Sequence, residues 1–146
     1  MILRLGHFAI RAKDIEATTA FYREVIGLKE AFRVYQEDGK KPRLIYMYIG
    51  PSQFIEIFPD GSGGQADNNA VGVKHICIEV DNAAKAQEEL RSRGAPIDTE
   101  LKTGVSGCLQ FWTHDPDGNR IEFMELPPES LQAQANKRIA EEEKKS

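Results

Sequence analysis

With 146 residues, 40% of them hydrophobic and 29% charged, the chain has the composition of a soluble globular protein and is long enough to bury a core without cross-links. A formal net charge of −4, with no stripe of basic residues, argues against nucleic acid or an anionic membrane as partner. Two cysteines are too few for a disulfide framework, no apolar run approaches the roughly 20 residues of a membrane helix, and the first residues do not read as a leader, so a cytoplasmic protein is expected.

The first predicted element is a strand over Leu3 to Ile10, followed by a helix from Asp14 to Ile26. Asp14 is placed to cap that helix, Glu16 suits its positive end and Gly27 stops it. Ile15, Thr18, Phe21, Tyr22 and Val25 recur at three- and four-residue steps and predict its apolar face. Strands are expected over Glu30 to Tyr35, Leu44 to Ile49 and Gln53 to Phe58, the last two joined at Gly50-Pro51-Ser52. Asp60 to Asn69, rich in small polar residues, suits a connector. A strand over Val73 to Val80 then leads to a helix from Asn82 to about Arg93, capped by Asp81 or Asn82 and stopped by Gly94. Strands follow over Ile97 to Leu101, Leu109 to Thr113 and Arg120 to Leu126, with a strong turn at Asp115-Pro116-Asp117-Gly118-Asn119. Pro127 and Pro128 end the last strand, and the remaining tail reads as a surface helix with a thin stripe of Leu131, Ala135 and Ile139.

Each half therefore reads strand, helix and three strands, an internal duplication. His7 and His75 hold equivalent places in the first strands, 68 residues apart, and Glu56 and Glu122 in the last strands, 66 apart. One strand glutamate ordinarily points at water, and one strand histidine is ordinarily structural. Glu56, however, shares its strand face with Phe54 and Phe58, where an unpaired carboxylate would need a proton, a cation or a metal. Glu122 shares a face with Arg120 and Met124, and Arg120 offers it a plain surface ion pair. If the halves pair about a pseudo-twofold axis, two imidazoles and two carboxylates meet as ligands of a divalent transition metal, leaving coordination positions for substrate.

These residues resemble the glyoxalase I branch of the vicinal-oxygen-chelate superfamily. The resemblance runs from about Leu3 to Leu126 and rests on Gly6-His7, Phe21-Tyr22, Gly27-Leu28, the Ile-Glu-Ile strand at Glu56, the strand of His75, and Asp115-Pro116-Asp117-Gly118 leading into Ile121-Glu122. It implies an α+β fold of two βαβββ modules forming a half-open metal-binding cavity, with module one at residues 1–59, a linker at 60–71, module two at 72–126 and a helical tail at 127–146. It also implies a homodimer with sites that form between subunits, and one divalent metal per site, nickel or cobalt ahead of zinc, manganese or iron, held by His7, Glu56, His75 and Glu122. The chemistry implied is proton transfer between adjacent carbons of a chelated α-oxygenated substrate, such as the hemithioacetal of methylglyoxal, through an enediolate. Glu122 is the expected base, with Glu56 as second ligand or partner base.

Arg11 matches an arginine that contacts the glutathione carboxylate in that family. Asp60 stands where the family has Asn, and its charge opposes a glutathione carboxylate. The loop Thr103-Gly104-Val105-Ser106-Gly107 lacks the expected basic residue, with Lys102 as a weak stand-in. The alternatives are therefore an epimerase acting on a carboxylate or sugar-like substrate without glutathione and, from another class, a protein that sequesters a small molecule. A ring-cleaving dioxygenase fits less well. Cys77 reads as a buried inert thiol, His114 as a loop residue, and Phe111 and Trp112 as one core and one cavity residue.

Overall fold

In a computed structural model, which describes residues 2–64 and 71–145, the chain forms two compact units. The expected connector at Asp60 to Asn69 lies partly outside the described residues. The first unit comprises residues 1–70 together with Asp115–Gly118, the second residues 71–114 and 119–146.

The first unit runs β1 (His7–Arg11), α1 (Ile15–Ala20, continuing as a π-helical turn over Phe21–Ile26), β2 (Lys29–Tyr35), β3 (Pro42–Gly50) and β4 (Gln53–Phe58). The second runs β5 (Ile76–Glu79), α2 (Ala83–Ser92), β6 (Thr99–Thr103), β7 (Leu109–His114) and β8 (Arg120–Glu125), and ends in α3 (Leu131–Glu143). Their sheets have the same order, β1-β4-β3-β2 and β5-β8-β7-β6. In each, the first strand pairs parallel with the last and the other neighbours are antiparallel. This is the paired βαβββ architecture, α+β in class.

Local chemistry accounts for the elements. The Asp14 carboxylate accepts from the backbone N–H groups of Glu16 and Ala17 at 3.0 and 3.1 Å and caps α1. Gly27, at φ 89°, ends the helix, and the N–H groups of Gly27 and Leu28 both reach the Tyr22 carbonyl. The widening to π geometry at Phe21 was not foreseen. Asn82, rather than Asp81, caps α2 by accepting from the Lys85 N–H at 2.8 Å.

Alternation along the strands sends one set of side chains to each face. In the first unit Ile10, Ile45, Met47, Ile55 and Ile57 join Ile15, Tyr22 and Ile26 of the helix in the core. The opposite face carries His7, Tyr46, Tyr48, Phe54 and Glu56. In the second unit Ile76, Phe111, Ile121 and Phe123 are buried, with Phe111 and Phe123 stacked at 5.0 Å. Trp112 is on the other face, so Phe111 is the core residue of the two.

Three expectations need correction. The strands predicted from Leu3 and Val73 begin only at His7 and Ile76. Their apolar lead-ins lie exposed, because the β1–β4 and β5–β8 ladders begin at His7 and Ile76. Cys77 is exposed and Cys108 is the buried cysteine, since Cys77 falls on the face away from the helix. His114 is the last residue of β7, not a loop residue, and its Nδ1 lies 2.9 Å from Asp98.

The turn between β7 and β8 is part of the first unit. There Tyr22 Oη donates to Asp115 Oδ2 at 3.1 Å in a buried contact, and Thr18 Oγ1 donates to Asp117 Oδ2 at 2.8 Å. Burial and the neighbouring Asp115 carboxylate push the Tyr22 phenol well above its usual range. The helix α3 has no buried residue, as a surface helix should, and its start is anchored by the Leu131 N–H donating to the Ser106 carbonyl at 2.8 Å.

Candidate metal centre

The parallel pairing of first and last strands brings each histidine beside its glutamate. In the first unit Ala9 lies opposite Glu56 and His7 opposite Phe54, so the imidazole and the carboxylate are diagonal neighbours on one face. His7 Nε2 lies 3.5 Å from Glu56 Oε2. In the second unit Cys77 lies opposite Glu122, and His75, just ahead of β5, places its Nε2 3.1 Å from Glu122 Oε2. Both glutamates are only 8% exposed.

The second oxygen of each carboxylate meets a neutral donor. Tyr46, directly across from Glu56 on β3, donates its hydroxyl to Glu56 Oε1 at 2.8 Å. That bond is the main cause that raises the Tyr46 phenol above its usual value. The Gln110 amide, oriented to satisfy both neighbours, donates to Glu122 Oε1 at 3.0 Å and accepts from Trp112 Nε1 at 3.2 Å. Partial burial and then the Glu122 carboxylate push the Cys77 thiol up to about 12, so the thiol stays protonated beside the glutamate.

An aromatic ring also stands edge-on to each imidazole, Tyr46 to His7 at 6.1 Å and Trp112 to His75 at 4.8 Å. Tyr46 and Trp112 are 66 residues apart, the spacing of the two glutamates. That repeat was a usable signal for Tyr46, which the reading of the motifs passed over. Gln110 has no such mark, since Leu44 stands at its equivalent position.

Among the described residues no lysine or arginine pairs with Glu56 or Glu122, and no three His, Cys, Asp or Glu side chains gather into a group able to hold a metal ion. The candidate ligands come together as two His–Glu pairs. A buried carboxylate with no lysine or arginine beside it leaves room for a cation as its partner. Each pair by itself offers a nitrogen and an oxygen donor of the kind that a divalent transition metal accepts, so in donor type the residues fit the group.

The outlying candidates sit differently. Arg11 is exposed, donates from Nη1 to the Pro59 carbonyl at 2.8 Å and stands 5.6 Å from the Phe58 ring centroid. Asp60 follows at φ 60° and is exposed, as is Lys102. Arg120 does not form the ion pair with Glu122 that its spacing suggested, and its guanidinium lies over the Trp112 ring at 4.4 Å.

Two successive βαβββ units, each with a histidine at its first strand and a buried glutamate on its last, define a protein of duplicated modules with a His–Glu pair in each. The chain belongs to the Glyoxalase/Bleomycin resistance protein/Dioxygenase superfamily, whose profile matches residues 4–123. It is 34% identical over 129 residues to a lactoylglutathione lyase of Salmonella typhimurium, covering 84% of this chain and 93% of that protein. It is 31% identical over 126 residues to an ethylmalonyl-CoA/methylmalonyl-CoA epimerase of Cereibacter sphaeroides, covering 82% and 93%. Among solved structures it is similar to a lactoylglutathione lyase from Agrobacterium tumefaciens, at 26% identity and a TM-score of 0.61 over 84% of this chain and 92% of that one. No helix among the described residues is long and apolar enough to cross a membrane.

Proposed function

We propose that this protein is a metal-dependent lyase or isomerase of glyoxalase I type, in which His7, Glu56, His75 and Glu122 hold one divalent ion. The observation that carries the reading is the pairing, in both units, of a histidine Nε2 with a buried carboxylate that has no lysine or arginine partner among the described residues, at 3.5 and 3.1 Å. The ion, when bound, supplies Lewis acidity that makes the proton beside a carbonyl easier to remove. Glu122 takes that proton and returns it to the neighbouring carbon; in an epimerisation the proton that arrives on the opposite face comes from a second acid, for which Glu56 is the candidate. Tyr46 orients the Glu56 carboxylate for either role, ligand or partner acid. The burial of both glutamates keeps bulk water from competing for the proton.

Two observations favour substrates other than a glutathione adduct. Arg11 is already engaged by the Pro59 carbonyl, and Asp60 adds negative charge beside it. The epimerase relative is consistent with the same proton chemistry on a carbon acid.

The test is turnover of nickel-loaded, cobalt-loaded and chelated protein, first with methylglyoxal with and without glutathione, then by deuterium exchange into 2-substituted malonyl thioesters. Chelation should abolish whichever activity is present, and nickel or cobalt should restore it. Glu122→Gln should lower turnover by about 10²–10⁴-fold, the usual contribution of a positioned base. Full activity of the metal-free protein would overturn the reading.

A further inference from the structure

Arg120 differs from most arginines of the second unit and its neighbourhood. Arg91 is paired with Glu88 and Glu100, and Arg93 with Glu89. Arg120 has no acidic partner among the described residues, although it is partly buried on the face that carries Glu122. Its guanidinium carbon lies 4.4 Å from the centroid of the Trp112 ring. Trp112 is itself fixed, by Nε1 donation to Gln110 at 3.2 Å and by its edge-to-face contact with His75 at 4.8 Å. Gln110 in turn holds Glu122. His114, its partner across the β7–β8 ladder, is itself engaged with Asp98 at 2.9 Å.

A guanidinium held over an aromatic ring by cation–π attraction keeps N–H donors available, and these match a carboxylate in a two-point contact. Arg120 and Glu122 are two residues apart on one strand face, roughly 6–7 Å along the chain. A group held by the Arg120 fork therefore lies a few bonds from a carbon whose proton Glu122 handles. Charge balance points the same way, because two ligand carboxylates neutralise a divalent ion and Arg120 adds a further positive charge.

We infer that Arg120, steadied by Trp112, is a specificity-determining residue that selects substrates bearing a carboxylate next to the oxygens presented to Glu122. This rests on the proposed metal site only for the placement of those oxygens.

Trp112 is the only tryptophan of the chain, so its emission reports on Arg120 directly. The full-length protein, nickel-loaded or chelated, would be titrated with dihydroxyacetone, with hydroxypyruvate (the same skeleton carrying a carboxylate) and with dihydroxyacetone phosphate, while nickel uptake is measured by equilibrium dialysis. Hydroxypyruvate should saturate the Trp112 signal at a concentration about tenfold or more below that for dihydroxyacetone, and Arg120→Gln should erase the difference by raising the hydroxypyruvate midpoint to that of dihydroxyacetone. Arg120→Lys, which keeps the charge without the fork, should lose most of the preference and guards against misfolding of the glutamine variant. A preference that survives both substitutions, or its absence in the native protein, would overturn the inference, and a stronger preference for the phosphate would overturn the choice of carboxylate. Failure of nickel uptake with an intact Arg120-dependent preference would sink the metal reading and leave this one standing.

Discussion

Tyr46 decides how Glu56 is presented. A buried carboxylate is held in one orientation only when both oxygens are engaged, here by a phenol at 2.8 Å and an imidazole at 3.5 Å. Tyr46→Phe removes one of those contacts while keeping the ring that stacks on Phe32 at 4.5 Å. We expect metal affinity to fall by about 10–100-fold, as for other groups that orient a ligand, measured by competition with a chromogenic chelator. Thermal stability should change little, because the ring packing is retained. The Glu56 strand was legible at this scale, since a carboxylate between two isoleucines and among aromatics already asks for a partner. The partner itself was not, because nothing local to Tyr46 says which strand lies across from it.

Among the elements, α1 shows most clearly what is local and what is not. Its start at Asp14 and its stop at Gly27 were both readable, because capping and the left-handed φ depend on a few neighbouring atoms. The hydrogen bond from Tyr22 to Asp115 spans 93 residues and has no sequence signature. Tyr22→Phe should destabilise the fold by about 1–3 kcal/mol, the range for a broken buried hydrogen bond, as read from urea unfolding at neutral pH. The pH dependence has a definite sign. Burial, then Asp115, raises the folded phenol pKa, so the contribution is full below the unfolded value near 10 and is lost as pH rises through the folded one. The stability gap between native protein and Tyr22→Phe should accordingly be constant up to about pH 9 and shrink above it, and a gap that widened with pH would contradict the assignment. The shortened strands β1 and β5 show the opposite failure. Leu3, Leu5, Val71 and Val73 have strand-forming character, yet no strand among the described residues pairs with them.

For the whole molecule, those lead-ins suggest association. Leu3 and Leu5 are 83% and 69% exposed, and their counterparts Val71 and Val73 are 106% and 72% exposed. Such apolar side chains in matching places of the two halves are the kind of surface that a second copy covers. We propose a homodimer, in which His7 and Glu56 of one chain meet His75 and Glu122 of the other. Sedimentation equilibrium at micromolar concentration should give about twice the monomer mass, and Leu5→Lys combined with Val73→Lys should shift it to monomer and weaken nickel binding together. A native monomer that binds nickel tightly would remove the intersubunit arrangement.

The duplication, the helix limits, the hairpin turns and the four residues with ligand chemistry were all set by the sequence, because periodicity, capping and turn preference act over a handful of residues. Only the tertiary structure decided that His7 meets Glu56 and His75 meets Glu122, that Tyr46 and Gln110 hold the carboxylates, and that Arg120 rests on Trp112 instead of pairing with Glu122. Those are contacts across strands that lie far apart in the chain, or choices among equally plausible neighbours. Burial and ladder register, not local preference, determine which of them form.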